Sequence, residues 1–258
     1  MKAIVIAAGR GRRLAPHTDE MPKCLVPIGG RPMLVRQLDA FRAHRLTEFV
    51  IVRGYRAEVL ERRRAELGAG VRFVENRDWE RNNILQSLFT AEAELDGPVL
   101  LTYADIVFAQ ELVGQLLDAP GDVCLVIDRD FAKVYEGRTE HPLEEAEVAV
   151  IDDDGRVRAV GKRAVPVAQA SGEFIGLARL TARGVEALRA AYAEARDQHE
   201  KTGASPFARN SWQGAYLTDL LERLIELGVD VRAVPIHGRW REIDTEQDLL
   251  RAEQSVDW

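Results

Sequence analysis

The stretch Ile4-Val5-Ile6-Ala7-Ala8-Gly9-Arg10-Gly11-Arg12-Arg13-Leu14 decides the fold. A short apolar run that passes at once into two glycines and three arginines reads as a buried strand ending in a positively charged loop. Glycine lets backbone N–H groups come close to an oligophosphate, and the arginines add charge. The loop fails the dinucleotide fingerprint, because Leu14 stands where a third glycine is required. It also fails the P-loop, because no Gly-Lys-Ser/Thr follows. Some other arrangement must complete the site.

Outward from this loop, short apolar runs over 4–7, 49–52, 71–74, 99–103 and 123–127 alternate with amphipathic patterns over 33–46, 56–67, 84–95 and 110–117. That alternation predicts strands joined by crossover helices. Within 56–67, Arg62, Arg63 and Arg64 are flanked by Glu58, Glu61 and Glu66, which reads as a solvated, internally paired face. The rhythm then changes. Runs over 148–151 and 157–160, joined by Asp153-Asp154-Gly155, give a hairpin signal. A strand over 174–180, helices over 182–197 and 214–227 and a strand over 231–236 follow, and Thr245 with Glu246 and Asp248 looks like the cap of a last helix. The expected fold is α/β: a Rossmann-like, doubly wound mixed sheet with a late β-hairpin insertion. No repeat or Pro/Gly linker divides the chain, so a single domain over 1–258 is expected, with long loops near 129–142 and 202–211 as functional candidates.

Composition narrows the function. With 35 Lys plus Arg against 42 Asp plus Glu and a net charge of -7, the chain lacks the basic excess of a general nucleic-acid binder. Cys24 and Cys124 form neither a disulfide framework nor a metal motif and read as small apolar fillers. The longest apolar stretches, 3–8 and 123–127, fall far short of the roughly 20 residues of a membrane span, and no signal-peptide pattern is seen. A cytoplasmic protein with no membrane partner is the expectation.

Three further elements stand at strand or loop ends. Lys23 lies in Pro22-Lys23-Cys24-Leu25-Val26-Pro27, a rare lysine between two prolines, suited to presenting a point charge to a phosphate. Asp105 follows the fourth strand at its C-terminal end, where open α/β sheets bind ligands. Glu242-Ile243-Asp244-Thr245 forms an acidic station before the last helix.

Together these residues resemble the LAAGxGxRL…PK signature of the nucleotidylyltransferases that make nucleoside-diphosphate sugars and CDP-alcohols, with Ile6 in place of the usual Leu. Asp105 and Ile243-Asp244-Thr245-x-x-Asp248 look like that family's two metal stations; Tyr103 replaces an acidic residue common in relatives. The resemblance implies a GT-A-like nucleotidyltransferase fold, with a nucleotide-binding half over 1–128 and an acceptor-binding half over 129–258. Asn82-Asn83-Ile84 with Ser87-Leu88, and the stretch from Tyr135 to Pro142, are most similar to the choline-phosphate and phosphonate cytidylyltransferase branch.

The implied reaction is attack of a phosphate or phosphonate oxygen on the α-phosphorus of a nucleoside triphosphate, CTP above all, with release of pyrophosphate. Lys23 and Arg13 would be catalytic. Ala8, Gly9, Gly11, Arg13, Asn82, Asn83 and Ser87 would bind nucleotide, the Asn pair reading equally as a cap for the following helix. Asp105 and Asp244 would hold Mg²⁺. Arg129, Lys133, Arg138, His141 and Glu173 would face the acceptor. The cationic 129–141 loop suits an acceptor with a second anionic group, as in phosphonate biosynthesis, better than choline; a solvated loop balanced by its own acids is the alternative. Transfer to phosphocholine or a sugar 1-phosphate, or a catalytically idle nucleotide-binding regulator, remain alternative readings. A homodimer through the late helices is a family-level expectation.

Overall fold

The computed structural model describes residues 1–256. Strand β1 (Lys2–Ala7) runs parallel between β4 (Phe49–Arg53) and β6 (Val99–Tyr103), and β5 (Val71–Glu75) extends the sheet beyond β4. Successive side chains of a strand point to opposite faces, and here both faces are apolar. Ala3, Val5 and Ala7 join one core with Leu34, Leu38 and Phe41 of α1 (Met33–Ala43) and Leu112, Val113 and Leu116 of α5 (Gln110–Asp118). Ile4 and Ile6 join the other, with Leu85 and Leu88 of α4 (Ile84–Thr90), Leu188 of α7 (Ala182–Thr202) and Leu220 and Leu224 of α8 (Leu217–Glu226). Burial on both sides is what a doubly wound sheet requires.

Beyond β6 the sheet becomes antiparallel. The long β11 (Gly172–Leu180) pairs with β6 through 177–180, with β8 (Val123–Asp128) along its other edge, and with β9 (Glu147–Ile151) at its start. The hairpin β9–β10 (Val157–Lys162) closes one end, and β12 (Val231–Ile236) lies parallel to β8. One nine-stranded sheet thus carries strands from both halves of the chain.

The expected elements are present, with several ends corrected. The helix expected over 56–67 is two, α2 (Ala57–Arg62) and α3 (Arg64–Leu67); Arg63–Glu66 and Arg64–Glu61 pairs lie on it as its charge pattern suggests. The helix over 84–95 tightens into a 3₁₀ turn, Glu92–Glu94, after Thr90. The helix over 214–227 starts only at Leu217, for a clear reason. The carbonyls of Gln213 and Ala215 accept hydrogen bonds from the N–H groups of Asn83 and Leu85, so this segment serves α4 before its own helix is capped by Tyr216 and Asp219.

Short elements add what the sequence pattern missed. These are the hairpin β2 (Pro27–Ile28) with β3 (Arg31–Pro32), the helix α6 (Phe131–Tyr135), and the antiparallel pair β7 (Ile106–Phe108) with β13 (Trp240–Glu242). The last pair positions the site, because it brings the segment after β6 against the segment before α9 (Glu246–Ser255).

Candidate active site

Ile243 N–H donates to the Asp105 carbonyl at 2.9 Å, extending the β7–β13 pairing, and so sets Asp105 and Asp244 at the same end of the sheet. Lys23 reaches between them. It sits in a 3₁₀ turn held by Leu25 N–H to Pro22 O and Val26 N–H to Lys23 O, and its ammonium donates to Asp105 at 3.0 Å and to Asp244. The stem of Lys23 packs on Gly11, whose φ of +69° lies in the left-handed region. A Cβ there would stand 2.6 Å from Lys23 Cδ, so the second loop glycine makes room for the lysine as well as for a ligand.

Charge is tightly matched around Asp244. Arg13 and Lys23 both pair with it, and His141 Nδ1 lies 3.2 Å away. Burial opposes the Lys23 ammonium, but Asp105 and Asp244 outweigh it and its pKa is raised. Burial likewise opposes the Asp244 carboxylate, yet Lys23, His141 and Arg13 hold its pKa well below the usual range. Beside it, burial and the Asp244 charge push Glu242 the other way. Arg138, with a side chain only 2 % exposed, binds Asp248 through two nitrogens at 2.8 and 3.0 Å and Glu242 at 3.3 Å. Asp248 in turn accepts from the N–H groups of Asp244 and Thr245 and completes the cap of α9.

Two chambers meet at this cluster. One, about 310 Å³, is bounded by Gly9, Gly11, Arg12 and Lys23 on one side and Ile84 and Ala104 on another. The second, about 240 Å³, runs from Asn83 and Tyr103 toward Glu147, Lys162, Glu173 and Tyr216. Arg13, Ile84, Tyr103, Asp105 and Asp244 line both. Gly176 is needed for this wall: its φ is +83°, and a Cβ would lie 2.4 Å from the Tyr103 ring. The junction thus carries the Arg13 guanidinium and two carboxylates, with the Lys23 ammonium between them.

The chain matches the MobA-like NTP transferase domain over residues 3–199. It belongs to the MobA-like NTP transferase family. A CTP:phosphoglutamine cytidylyltransferase of Campylobacter jejuni is 29% identical over 255 residues, spanning 96% of this chain and 98% of that protein. A 2-aminoethylphosphonate cytidylyltransferase of Lancefieldella rimae is 29% identical over 164 residues, 62% of this chain and 60% of that one. The solved CTP:phosphocholine cytidylyltransferase of Streptococcus pneumoniae superimposes with a TM-score of 0.73 at 21% identity, covering 99% of both chains, which is a likeness of fold.

In this MobA-like nucleotidyltransferase the residues singled out from sequence divide clearly. Gly9, Gly11, Arg13, Lys23, Asp105 and Asp244 converge on the first chamber. Ala8 is buried beside it, its carbonyl accepting from Tyr55 N–H at 2.9 Å. Asn83 occupies the N-cap position of α4, but its amide donates to Gly214 O at 3.0 Å and does not cap the helix. Asn82 and Ser87 both bind Asn76, and Ser87 also donates to Asn83 O, so their polar groups are engaged within the protein.

The 129–141 loop departs most from expectation. Lys133, 71% exposed, pairs with Asp130, and neither it nor Arg129 lines either chamber. Arg138 and His141 are buried, but Arg138 is committed to Asp248 and Glu242. The loop therefore presents no free cationic face to an acceptor. Glu173 does line the second chamber, where six carboxylates stand against Arg13 and Lys162. The cations expected to face an acceptor, Arg129, Lys133 and Arg138, thus lie outside both chambers. Glu147, Lys162 and Tyr216 were not singled out as site residues. The signals for two of them were an acid at the head of an apolar strand and one of only five lysines. Cys24 and Cys124 are free and buried, in keeping with a filler role.

Among the described residues no helix is long and apolar enough to cross a membrane.

Proposed function

We propose that the chain transfers CMP from CTP to an oxygen of a small phosphate or phosphonate acceptor, releasing pyrophosphate. The observation that carries this reading is the junction of two chambers at Lys23, Arg13, Asp105 and Asp244. A reaction between two anions needs such a place, where both can be held and their repulsion cancelled. The triphosphate lies along the loop of Gly9 and Gly11, whose backbone and arginines face the first chamber. The acceptor enters from the second. The half 1–128 supplies most of the first chamber, and 129–258 most of the second.

An acceptor oxygen attacks the α-phosphorus. The bond from that phosphorus to the oxygen bridging it to the β-phosphorus breaks, and pyrophosphate leaves with the electron pair. A phosphomonoester is largely dianionic near pH 7, with a second pKa of about 6, so no general base is required. Lys23 stabilises the charge that gathers on the α-phosphoryl oxygens, and Arg13 reaches the same phosphates from the chamber mouth.

The donor set fits Mg²⁺, since Asp105 and Asp244 offer hard oxygens converging on one point, now held by the Lys23 ammonium. When bound there, the ion supplies further neutralisation of phosphate oxygens. A second group, His141, Glu242 and Asp244, has donor atoms within 4.8 Å of one another. It suits the ion less well, because Arg138 Nη2 contacts both His141 Nδ1, at 2.9 Å, and Glu242, at 3.3 Å.

The choice of CTP is supported by the activities named for the relatives above. Initial rates of pyrophosphate release, measured with CTP, UTP, GTP, ATP and dTTP against phosphate-ester, phosphonate and sugar 1-phosphate acceptors, test the proposal. Preference for CTP with a phosphate ester or phosphonate is expected. Release only with a hexose 1-phosphate, or CTP binding without release under every condition, would overturn it.

A further inference from the structure

The second chamber holds a specific clue to what enters it. Its two cations are already committed: Lys162 donates to Glu145 at 3.0 Å and lies 5.0 Å from the centre of the Tyr216 ring, and Arg13 pairs with Asp244. Its acids are not all served. Glu173, 4 % exposed, accepts from the Tyr135 hydroxyl at 2.6 Å through Oε1, while its Oε2 is buried without a hydrogen-bond partner. Glu147, also buried, receives one hydrogen bond, from the Tyr103 hydroxyl at 3.1 Å. Tyr103 and Phe174, edge to face at 6.0 Å, supply an aromatic wall to the same space.

An unserved buried carboxylate oxygen is costly. Two observations therefore point the same way: a wall rich in carboxylates, and, on a residue of that wall, a buried acceptor atom with no donor of the protein's own. Burial together with neighbouring carboxylates raises the pKa of Glu147 to about 8 and that of Glu173 well above its ordinary value. Burial is the larger cause; the smaller contribution, from neighbouring carboxylates, is the one that also favours a cation brought beside them.

We propose that this chamber recognises a protonated amine on the acceptor, a primary or secondary ammonium that donates N–H to Glu173 Oε2 while lying against Glu147 and the aromatic wall. The inference rests on the cytidylyltransferase reading for the other end of the same molecule, its phosphate or phosphonate, which meets Lys23 and Arg13. A quaternary ammonium satisfies the charge but leaves Glu173 Oε2 without a donor. A neutral alkyl group satisfies neither.

Three acceptors that share a phosphate ester separate these cases: phosphoethanolamine, phosphocholine and ethyl phosphate. The kcat/KM of the wild-type chain with CTP is expected to be highest for phosphoethanolamine, exceeding ethyl phosphate by about 10- to 100-fold, the worth of one charge-assisted hydrogen bond. Phosphocholine should fall between them. In Glu173→Gln the ratio of phosphoethanolamine to ethyl phosphate should collapse toward one.

Parity of phosphoethanolamine with ethyl phosphate in the wild-type chain would overturn the amine site while leaving the transferase reading intact. Phosphocholine as the best of the three would overturn the requirement for N–H. If no acceptor releases pyrophosphate, it is the transferase reading that fails. The amine site is then judged by calorimetric titration of phosphoethanolamine and ethyl phosphate into the wild-type chain, where equal affinity would overturn it.

Discussion

Replacing Lys23 by Met keeps the stem that packs on Gly11 and deletes the charge, and the structure makes its two consequences opposite in sign. The Lys23 side chain is 9 % exposed and its ammonium occupies the point on which Asp105 and Asp244 converge. Its ammonium donates to both carboxylates, and under the proposed reaction it would turn to the α-phosphoryl group. A divalent ion entering between the carboxylates must displace or share hydrogen bonds to charged groups, each worth about 1.5–3 kcal/mol, so Lys23→Met should tighten nucleotide-free Mg²⁺ binding by about 10- to 100-fold. The same change should lower kcat by about 10²- to 10³-fold, the usual loss when one preorganised donor to a transition-state charge is removed. Asp244 retains Arg13 and His141, so the variant should remain folded. Calorimetric Mg²⁺ titration without nucleotide reads the first effect, and single-turnover pyrophosphate release at saturating Mg²⁺ reads the second. Weaker metal binding, or a kcat within about threefold of wild type, would refute the reasoning.

Three other outcomes follow from neighbouring residues. Burial sets the Glu147 carboxyl at about 8, against about 4.3 in an unfolded chain, so between these values the folded state holds the extra proton and stability falls as pH rises, by up to about 1.4 kcal/mol per pH unit. Glu147→Gln should therefore raise the thermal midpoint more at pH 8 than at pH 5; a difference that does not change with pH would refute the burial argument. Arg138→Met leaves Asp248 and Glu242 without their buried cation and should cost about 3–5 kcal/mol, or roughly 10 °C in thermal midpoint; an unchanged midpoint would show that the pairs are idle. Gly11→Ala meets both a left-handed φ and the Lys23 stem and should cost about 1–3 kcal/mol while lowering kcat; wild-type stability with wild-type turnover would remove Gly11 from the support of Lys23.

The parts of the fold visible in the sequence are those set by long periodic burial. Val99–Tyr103, with apolar residues on both faces, was readable to the residue, as was Thr245 as the cap of α9. The pair β7–β13 was not, because strands of three residues carry no usable period, and yet this pair places Asp105 beside Asp244. Gly9, Gly11, Lys23 and Asp105, which line the first chamber, lie in loops next to strong strands, where residue type and position are enough to single them out. The pairings of the 129–141 loop are not legible in the sequence, because charge composition does not disclose them. Arg138 finds its partner 110 residues away, on α9, and the loop's exposed cations, Arg129 and Lys133, line neither chamber. The acidic character of the second chamber was hidden for the same reason. Glu147 and Glu173 come from two strands of the large sheet and Glu242 from the separate β7–β13 pair, which only folding brings together.

The central claim is that the two chambers hold two phosphorus centres and join them. Phosphorus-31 NMR of the chain with CTP, Mg²⁺ and phosphoethanolamine follows both centres at once. The account predicts that the acceptor resonance and that of the CTP α-phosphorus are replaced by a mutually coupled phosphoanhydride pair, with pyrophosphate appearing in equimolar amount. Pyrophosphate accompanied by free CMP and unchanged acceptor, the signature of hydrolysis, or no consumption of CTP with any phosphate or phosphonate acceptor, would contradict it.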